Sequence, residues 1–163
     1  MARYIAMWSG PRNISTAMMR SFENRSDCYV SDEPFYAYYL KRTGEEHPLK
    51  NKIINQYSTD YEKIISSITG IIPNNKSIWY QKHMAHHHFL DQNMDWIEKM
   101  INCILIRHPS EVIKSYSKKN KINSILQLGY PQLKYIFDTI KYKIDINPVI
   151  IDSTDLLYNP ENI

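Results

Sequence analysis

Short apolar runs alternate along the chain with longer segments in which apolar residues recur every three or four positions. The apolar runs have the length and composition of buried β-strands. They cover residues 3–8, 28–31, 77–82, 102–107 and 148–152. Helical spacing predicts helices over residues 15–25, 35–42, 50–68, 91–100 and 131–143, with a further helix beginning near Pro109. The alternation predicts an α/β fold, in which a parallel sheet of about four to five strands is flanked by helices on both faces.

Polar residues cluster directly after four of the predicted strands. The clusters are Ser9 to Thr16, Ser31 to Phe35, Lys82 to His88 and Arg107 to Ser115. Ligands of parallel sheets bind beyond the carboxyl ends of the strands. We therefore expect the four clusters to contribute to one shared site.

The first cluster joins a strand to a helix through the turn SGPRN, residues 9–13, and has the features of an anion site. A helix N-terminus attracts negative charge, Arg12 can bind two oxygens of a phosphate or sulfate, and Ser15 and Thr16 add hydroxyl donors. The turn lacks the lysine of the triphosphatase pattern GxxxxGK[ST]. The alternative is an ordinary helix whose N-cap is Asn13 or Ser15.

A second candidate anion site lies in the segment ILIRHPSEVIKSY, residues 104–116. Arg107 closes a predicted strand, and Ser115 lies about two turns into the helix that begins near Pro109. Given a suitable helix orientation, the Ser115 hydroxyl faces the same ligand as the Arg107 guanidinium. The alternative is a surface arginine and a serine that faces solvent.

The two motifs, in this order, resemble the sulfotransferases that use 3′-phosphoadenosine 5′-phosphosulfate (PAPS) as sulfuryl donor. The segment Pro11-Arg12-Asn13-Ile14-Ser15-Thr16 is similar to the 5′-phosphosulfate loop of that family, and Arg107 with Ser115 is similar to its 3′-phosphate pair. The segments SDEPFYAYYL and VIIDSTDLLYNPENI also resemble family segments. The resemblance implies one sulfotransferase-like domain over residues 1–163, with a fold like that of P-loop nucleoside triphosphatases. It implies PAPS as donor, adenosine 3′,5′-bisphosphate as product and no metal requirement.

The resemblance also implies catalytic roles for three residues. Arg12 stabilises charge on the bridging oxygen as sulfur departs. His83 is the expected base that deprotonates the acceptor, and its neighbour Lys82 helps to neutralise the sulfuryl oxygens. The chain departs from the family pattern at Asn13-Ile14, which replaces the usual Ser-Gly, so the turn must form without the freedom of that glycine.

Glu33 and His87 are the residues that we expect to contact the acceptor, a small molecule whose identity the sequence does not specify. Two alternatives stay open for them. Glu33 can instead interact with the N-terminus of the helix beginning at Phe35, where a carboxylate is favoured. His83 and His87 can share a helical face and bind a metal, although no third ligand with suitable spacing is found.

Charge and composition limit the class of partner. The formal net charge is +3, which is too small to indicate nucleic-acid binding but suits a small polyanion. No stretch of about 18 apolar residues and no signal-peptide pattern is found, so we expect a cytoplasmic protein without a membrane partner. Cys28 and Cys103 lie in apolar runs and are expected to be buried, reduced thiols.

The family pattern continues beyond Ile163 with a helical region and a basic loop that covers the adenine and the 3′-phosphate. We therefore expect a C-terminally incomplete domain whose donor affinity is reduced and whose turnover is in doubt. Two other functions stay open: a non-catalytic nucleotide- or anion-binding module, and a P-loop kinase of a small metabolite. The missing loop lysine argues against the kinase.

Overall fold

The structure is a computed structural model that describes residues 2–144 and 146–162. These residues form one sheet of five parallel strands in the order β2-β3-β1-β4-β5. The strands are β1 (Arg3–Ser9), β2 (Cys28–Asp32), β3 (Ile78–Met84), β4 (Ile101–Ile106) and β5 (Val149–Asp152). The α/β fold with a parallel sheet that the sequence predicts is confirmed.

Helices connect the strands and cover the sheet. In the described part of the chain they are α1 (Ser15–Glu23), α2 (Tyr36–Thr43), α3 (Lys50–Gln56), α4 (Tyr61–Ile68), α5 (Pro109–Tyr116), α6 (Tyr130–Asp138) and α7 (Ser153–Tyr158). A π-helical turn, Thr139–Lys143, continues α6 to the end of the predicted helix.

Two predicted helices differ from the observed ones for local reasons. The single helix predicted over residues 50–68 is divided into α3 and α4, because Tyr57 is extended and the Asp60 carboxylate accepts from the Lys63 N–H as a new N-cap. The helix predicted over 91–100 is reduced to a 3-10 turn, Asp95–Lys99. Here the Asn93 side chain accepts from the Asp95 N–H at 2.8 Å, a local bond that competes with helix formation.

The sheet separates two layers of packed side chains. Ala6 and Trp8 of β1 point into one layer, whereas Met7 points into the other, as the alternation of a strand requires. Both cysteines are buried free thiols, as predicted.

Strand order places the polar clusters at a topological switch point. From β1 the chain moves to one side of the sheet for β2 and β3, and then crosses to the other side for β4 and β5. A crevice forms where the strand order reverses, at the carboxyl end of β1, and ligands of open α/β sheets bind there. The loops that follow β3, β1 and β4 are therefore neighbours.

A close backbone contact shapes the loop that follows β1. A Cβ atom added to Gly10 would lie 2.6 Å from the carbonyl oxygen of Leu128, in the 3-10 turn Ile125–Leu128. Gly129 follows with a φ of +73°, and a Cβ on it would lie 3.5 Å from the Gly10 Cα. The segment before α6 thus rests directly on the loop, and only glycine at position 10 permits the contact.

We predict that Gly10→Ala destabilises the fold by about 1–3 kcal/mol, because the new methyl group must displace the backbone at Leu128. Gly44→Ala is the control, since Gly44 has a φ of +71° and open space around it, and should cost about 1 kcal/mol of backbone strain alone. Urea unfolding measures both. A Gly10→Ala variant as stable as the wild type would contradict the close contact.

Candidate functional site

Helix α1 begins without a side-chain cap. Its N-cap residue is Ile14, in a left-handed conformation with φ 56° and ψ 19°, and no acidic residue lies in the first turn. By contrast, carboxylates of Asp60 and Asp152 cap α4 and α7. The alternative that Asn13 or Ser15 caps α1 is therefore wrong. The Ala17 N–H donates to the Ile14 carbonyl, so the N–H groups of Ser15 and Thr16 and the positive end of the helix dipole are what the first turn offers an anion.

The loop reaches this conformation without the family's glycine because its side chains are anchored elsewhere. Arg12 and Ile14 both have positive φ values, 64° and 56°, which cost about 1–2 kcal/mol each for residues with a Cβ. Between them, the buried Asn13 side chain donates to the Leu105 carbonyl at 3.2 Å. This contact fastens the turn to β4 and holds the left-handed residues in place.

Arg12, Ser115 and Arg107 meet at this loop. The Arg12 Nε donates to the Ser115 Oγ at 2.9 Å, and the Arg107 Nη1 donates to the Arg12 carbonyl at 2.9 Å. The structure thus brings together the two motifs that the sequence separates by nearly a hundred residues. The Glu111 carboxylate lies 3.8 Å from the Arg107 guanidinium, so one carboxylate faces the two guanidiniums of the cluster. The cluster carries an excess of positive charge.

The other predicted donor-binding residues line the same turn. Pro11 is half-buried, Ser15 is buried and Thr16 is exposed on the first turn of α1. Their roles toward a ligand stay predictions.

Lys82 is buried between two carboxylates. Its Nζ donates to Asp32 Oδ1 at 2.6 Å and to Glu33 Oε1 at 2.7 Å, and the Lys82 side chain is 5% exposed. Burial opposes the charge on the ammonium, but the carboxylates of Glu33 and Asp32 outweigh it and raise the pKa of Lys82. The sequence alone does not identify Asp32 as a partner of Lys82, because the contact depends on β2 lying beside β3 in the register Asp32↔Lys82.

Glu33 joins this group to a histidine. Its backbone is left-handed, with φ 50°, and its Oε2 lies 4.0 Å from the His87 Nε2. The N-cap of α2 is Phe35, which makes no side-chain cap bond. The carboxylate of Glu33 therefore binds Lys82 rather than capping α2.

His83 is a buried residue of β3 and lies beside Trp8 of the neighbouring strand β1. Its ring stacks on Trp8 with centroids 4.6 Å apart, its Nε2 lies 3.2 Å from Gln81 Oε1, and the residue is 1% exposed. Burial, together with His88, holds the pKa of His83 well below its ordinary value. Adjacent residues of a strand face opposite sides of the sheet, so Lys82 and His83 point apart. The role of His83 as the base stays a prediction.

The three histidines after β3 are held in an aromatic environment. His87 packs against Tyr36 and Tyr39, and His88 packs against Phe35. Burial lowers the pKa of His86 to about 4 and that of His88 to about 3, and holds the pKa of His87 well below its ordinary value. Within residues 2–144 and 146–162, no group of three or more His, Cys, Asp or Glu side chains is arranged to hold a metal ion.

Comparison with known proteins identifies the family. A family model described as "Sulfotransferase domain" matches residues 3–163. The chain belongs to the sulfotransferase domain family. Two relatives from Arabidopsis thaliana, branched-chain-amino-acid aminotransferase-like proteins 2 and 1, are 33% and 31% identical to it over 157 residues. These matches cover 96% of the chain and 28% of each relative, so this sulfotransferase domain spans less than a third of their length.

The helices of this sulfotransferase domain are short. Across the described ranges, none is both long enough and apolar enough to cross a membrane.

We predict that acid destabilises this sulfotransferase domain through His83, His86, His87 and His88. These imidazoles stay neutral in the fold because their pKa values are lowered, whereas the unfolded chain binds protons below about pH 6.5. Their contribution to stability is fully present above pH 6.5 and falls as the pH drops toward 4, by about 1.4 kcal/mol per pH unit for each histidine. Urea unfolding at pH 7.5, 6 and 5 measures the effect, and equal midpoints would contradict it.

His88→Phe isolates one of these groups. Neither ring nitrogen of His88 has a hydrogen-bond partner in the described part of the chain, so phenylalanine should cost little at pH 7.5 and should reduce the loss of stability on acidification. The half-exposed His47, replaced by Phe, is the matched control and should leave that loss unchanged.

Proposed function

We propose that this domain transfers a sulfuryl group from PAPS to a hydroxyl or amine of a small-molecule acceptor and releases adenosine 3′,5′-bisphosphate. The observation that carries the proposal is the meeting of Arg12, Ser115 and Arg107 at the uncapped N-terminus of α1. Membership of the sulfotransferase domain family supports it.

The positive cluster suits a ligand with two separate anionic groups. In the proposed complex, the N–H groups and hydroxyls of Ser15 and Thr16 bind the 5′-phosphosulfate together with the Arg12 guanidinium. Arg107 and Ser115 bind the 3′-phosphate. The Arg12 carbonyl that accepts from Arg107 links the two halves of the site, so both anions are held at one defined separation.

In the proposed reaction the protein positions the acceptor against the donor and stabilises the negative charge that forms on the leaving group. The acceptor oxygen or nitrogen bonds to sulfur while the bond from sulfur to the bridging phosphate oxygen breaks, and the negative charge grows on that oxygen. In the proposed complex, the Arg12 guanidinium stabilises this charge. The acceptor's proton passes to a base of the protein.

Two residues are candidates for that base, and the geometry favours Glu33 over His83. The Glu33 side chain is 26% exposed and is held by Lys82, whereas His83 is 1% exposed and covered by the Trp8 ring. In this proposal Lys82 is a positioning residue that holds the Glu33 carboxylate toward the acceptor.

The first test is calorimetric titration with adenosine 3′,5′-bisphosphate, without Mg²⁺ and beside ATP. We expect the bisphosphate to bind in preference to ATP, and Arg107→Ala or Ser115→Ala to weaken it by about 10-fold or more, since charge-assisted contacts are lost. Arg20→Ala is the control, because Arg20 is exposed on α1 and pairs with Glu23. Equal binding of ATP, or binding unaffected by Arg107→Ala, would overturn the proposal.

A second function has one observation in its favour. The buried ammonium of Lys82 donates to both Asp32 and Glu33, so its charge is directed to these carboxylates rather than to a sulfuryl group, which suits a nucleotide-binding module that performs no chemistry. Incubation with ³⁵S-labelled PAPS and a panel of phenols and amines separates the two functions. Selective bisphosphate binding with no labelled product would favour the binding module.

For an acceptor that becomes labelled, the same assay tests the base. We predict that Glu33→Gln lowers kcat by about 10²- to 10⁴-fold with little change in KM, as expected for a lost general base. His83→Gln should act mainly on stability, because the ring packs against Trp8. The reverse pattern, an active Glu33→Gln variant and a folded but inactive His83→Gln variant, would return the role to His83.

A further inference from the structure

A groove runs along the open edge of β2, beside the carboxylates that hold Lys82. It has a volume of about 740 Å³, within the range of about 300–1,000 Å³ that is typical of small-molecule pockets. The edge of β2 forms one wall, and residues of α3 and α4 form the other. Neither the predicted donor site nor the aromatic packing of the histidines accounts for this space.

The walls of the groove are largely apolar and aromatic. Ile53, Ile64 and Trp79 line it, and Tyr57 lines it with 59% of its surface exposed. Tyr57 is the extended residue that separates α3 from α4, so the break in the predicted helix is also what forms this part of the wall. Such a lining binds the apolar body of a ligand.

The end of the groove at the carboxyl edge of the sheet is negative. Asp32 and Glu33 both line it, and the single ammonium of Lys82 neutralises only one of the two carboxylates. The Asp32 side chain is 51% exposed. Lys63 also lines the groove, but it is 79% exposed and lies 4.0 Å from Asp60. Arg20 also attracts Asp32, but its guanidinium pairs with Glu23 at 2.5 Å, so a negative charge is left over at this end and favours a cation.

We propose that the groove binds an amphipathic amine, with its apolar body between β2 and α4 and its ammonium group against Asp32 and Glu33. That this amine is the sulfuryl acceptor rests on the proposed function: the ammonium first gives a proton to the Glu33 carboxylate, and the neutral nitrogen then bonds to sulfur as the bond from sulfur to the bridging oxygen breaks. The position of the groove agrees with that role. Asp32 of β2 is paired with Lys82 of β3, Lys82 is paired with Met7 of β1, and neighbouring strands lie about 4.8 Å apart. The negative end of the groove is therefore about two strand spacings from the loop after β1.

The test uses three probes of similar shape and different charge: 2-phenylethylamine, 2-phenylethanol and phenylacetate. Each is titrated into the ¹⁵N-labelled chain without donor and followed by NMR. We expect the amine to bind about fivefold more tightly than the alcohol, and phenylacetate to bind most weakly. Asp32→Asn should remove most of the preference for the amine. Binding of phenylacetate as tight as that of the amine would overturn the proposal.

Two tryptophan variants of α4 locate the bound amine. Ser67 is exposed and lines the groove, so Ser67→Trp fills it without disturbing the core and should abolish binding of the amine. Ser66→Trp is the control, because Ser66 is exposed on the same helix and is not part of the lining. Equal effects of the two variants, or none, would overturn the assignment of the groove.

The outcome separates this proposal from the proposed function, since the amine titration needs no donor. Binding of the bisphosphate without selectivity for the amine would overturn the groove proposal alone. Selectivity for the amine that Ser67→Trp abolishes, without binding of the bisphosphate, would support the groove and overturn its role in sulfuryl transfer.

Discussion

The hydrogen bond from Arg107 to the Arg12 carbonyl holds the loop after β1 against the end of β4, and the proposed donor site depends on it. With the carbonyl fixed, the Arg12 side chain turns toward α5 and donates to Ser115. Asn13 adds a second anchor, on the Leu105 carbonyl of the same strand. These contacts hold the loop in its strained conformation, with positive φ at Arg12 and Ile14. That conformation leaves the N-terminus of α1 open to an anion.

Charge reverses along the carboxyl edge of the sheet. At β1 and β4 the two guanidiniums of Arg12 and Arg107 dominate, whereas at β2 and β3 the two carboxylates around Lys82 leave a negative excess. The proposed donor, with its two anionic groups, and a cationic acceptor would bind on opposite sides of this reversal. The reacting atoms would then meet between them, near the end of β3.

The sequence predicted much of this arrangement, and the parts it missed depend on contacts between strands. The alternation of strands and helices is a local signal, and so is each of the two anion motifs around Arg12 and Arg107. The pairing of Lys82 with Asp32 could not be predicted in the same way, because it requires knowing that β2 lies beside β3.

Local geometry accounts for the remaining differences. Lys82 and His83 are adjacent in the sequence, but strand alternation sends the lysine to the carboxylates and the histidine into the core. The left-handed conformation of Ile14 likewise could not be predicted from residue preferences. A β-branched residue disfavours that conformation, and only tertiary contacts of the loop support it.

A crystal structure of the chain with adenosine 3′,5′-bisphosphate bound would show directly whether the two motifs hold the two phosphates. We expect the 5′-phosphate at the N-terminus of α1 beside Arg12, and the 3′-phosphate between Arg107 and Ser115. Ser115 would then contact the phosphate where it now accepts from Arg12. A nucleotide bound elsewhere, or one whose 3′-phosphate does not touch Arg107, would contradict the proposed binding mode.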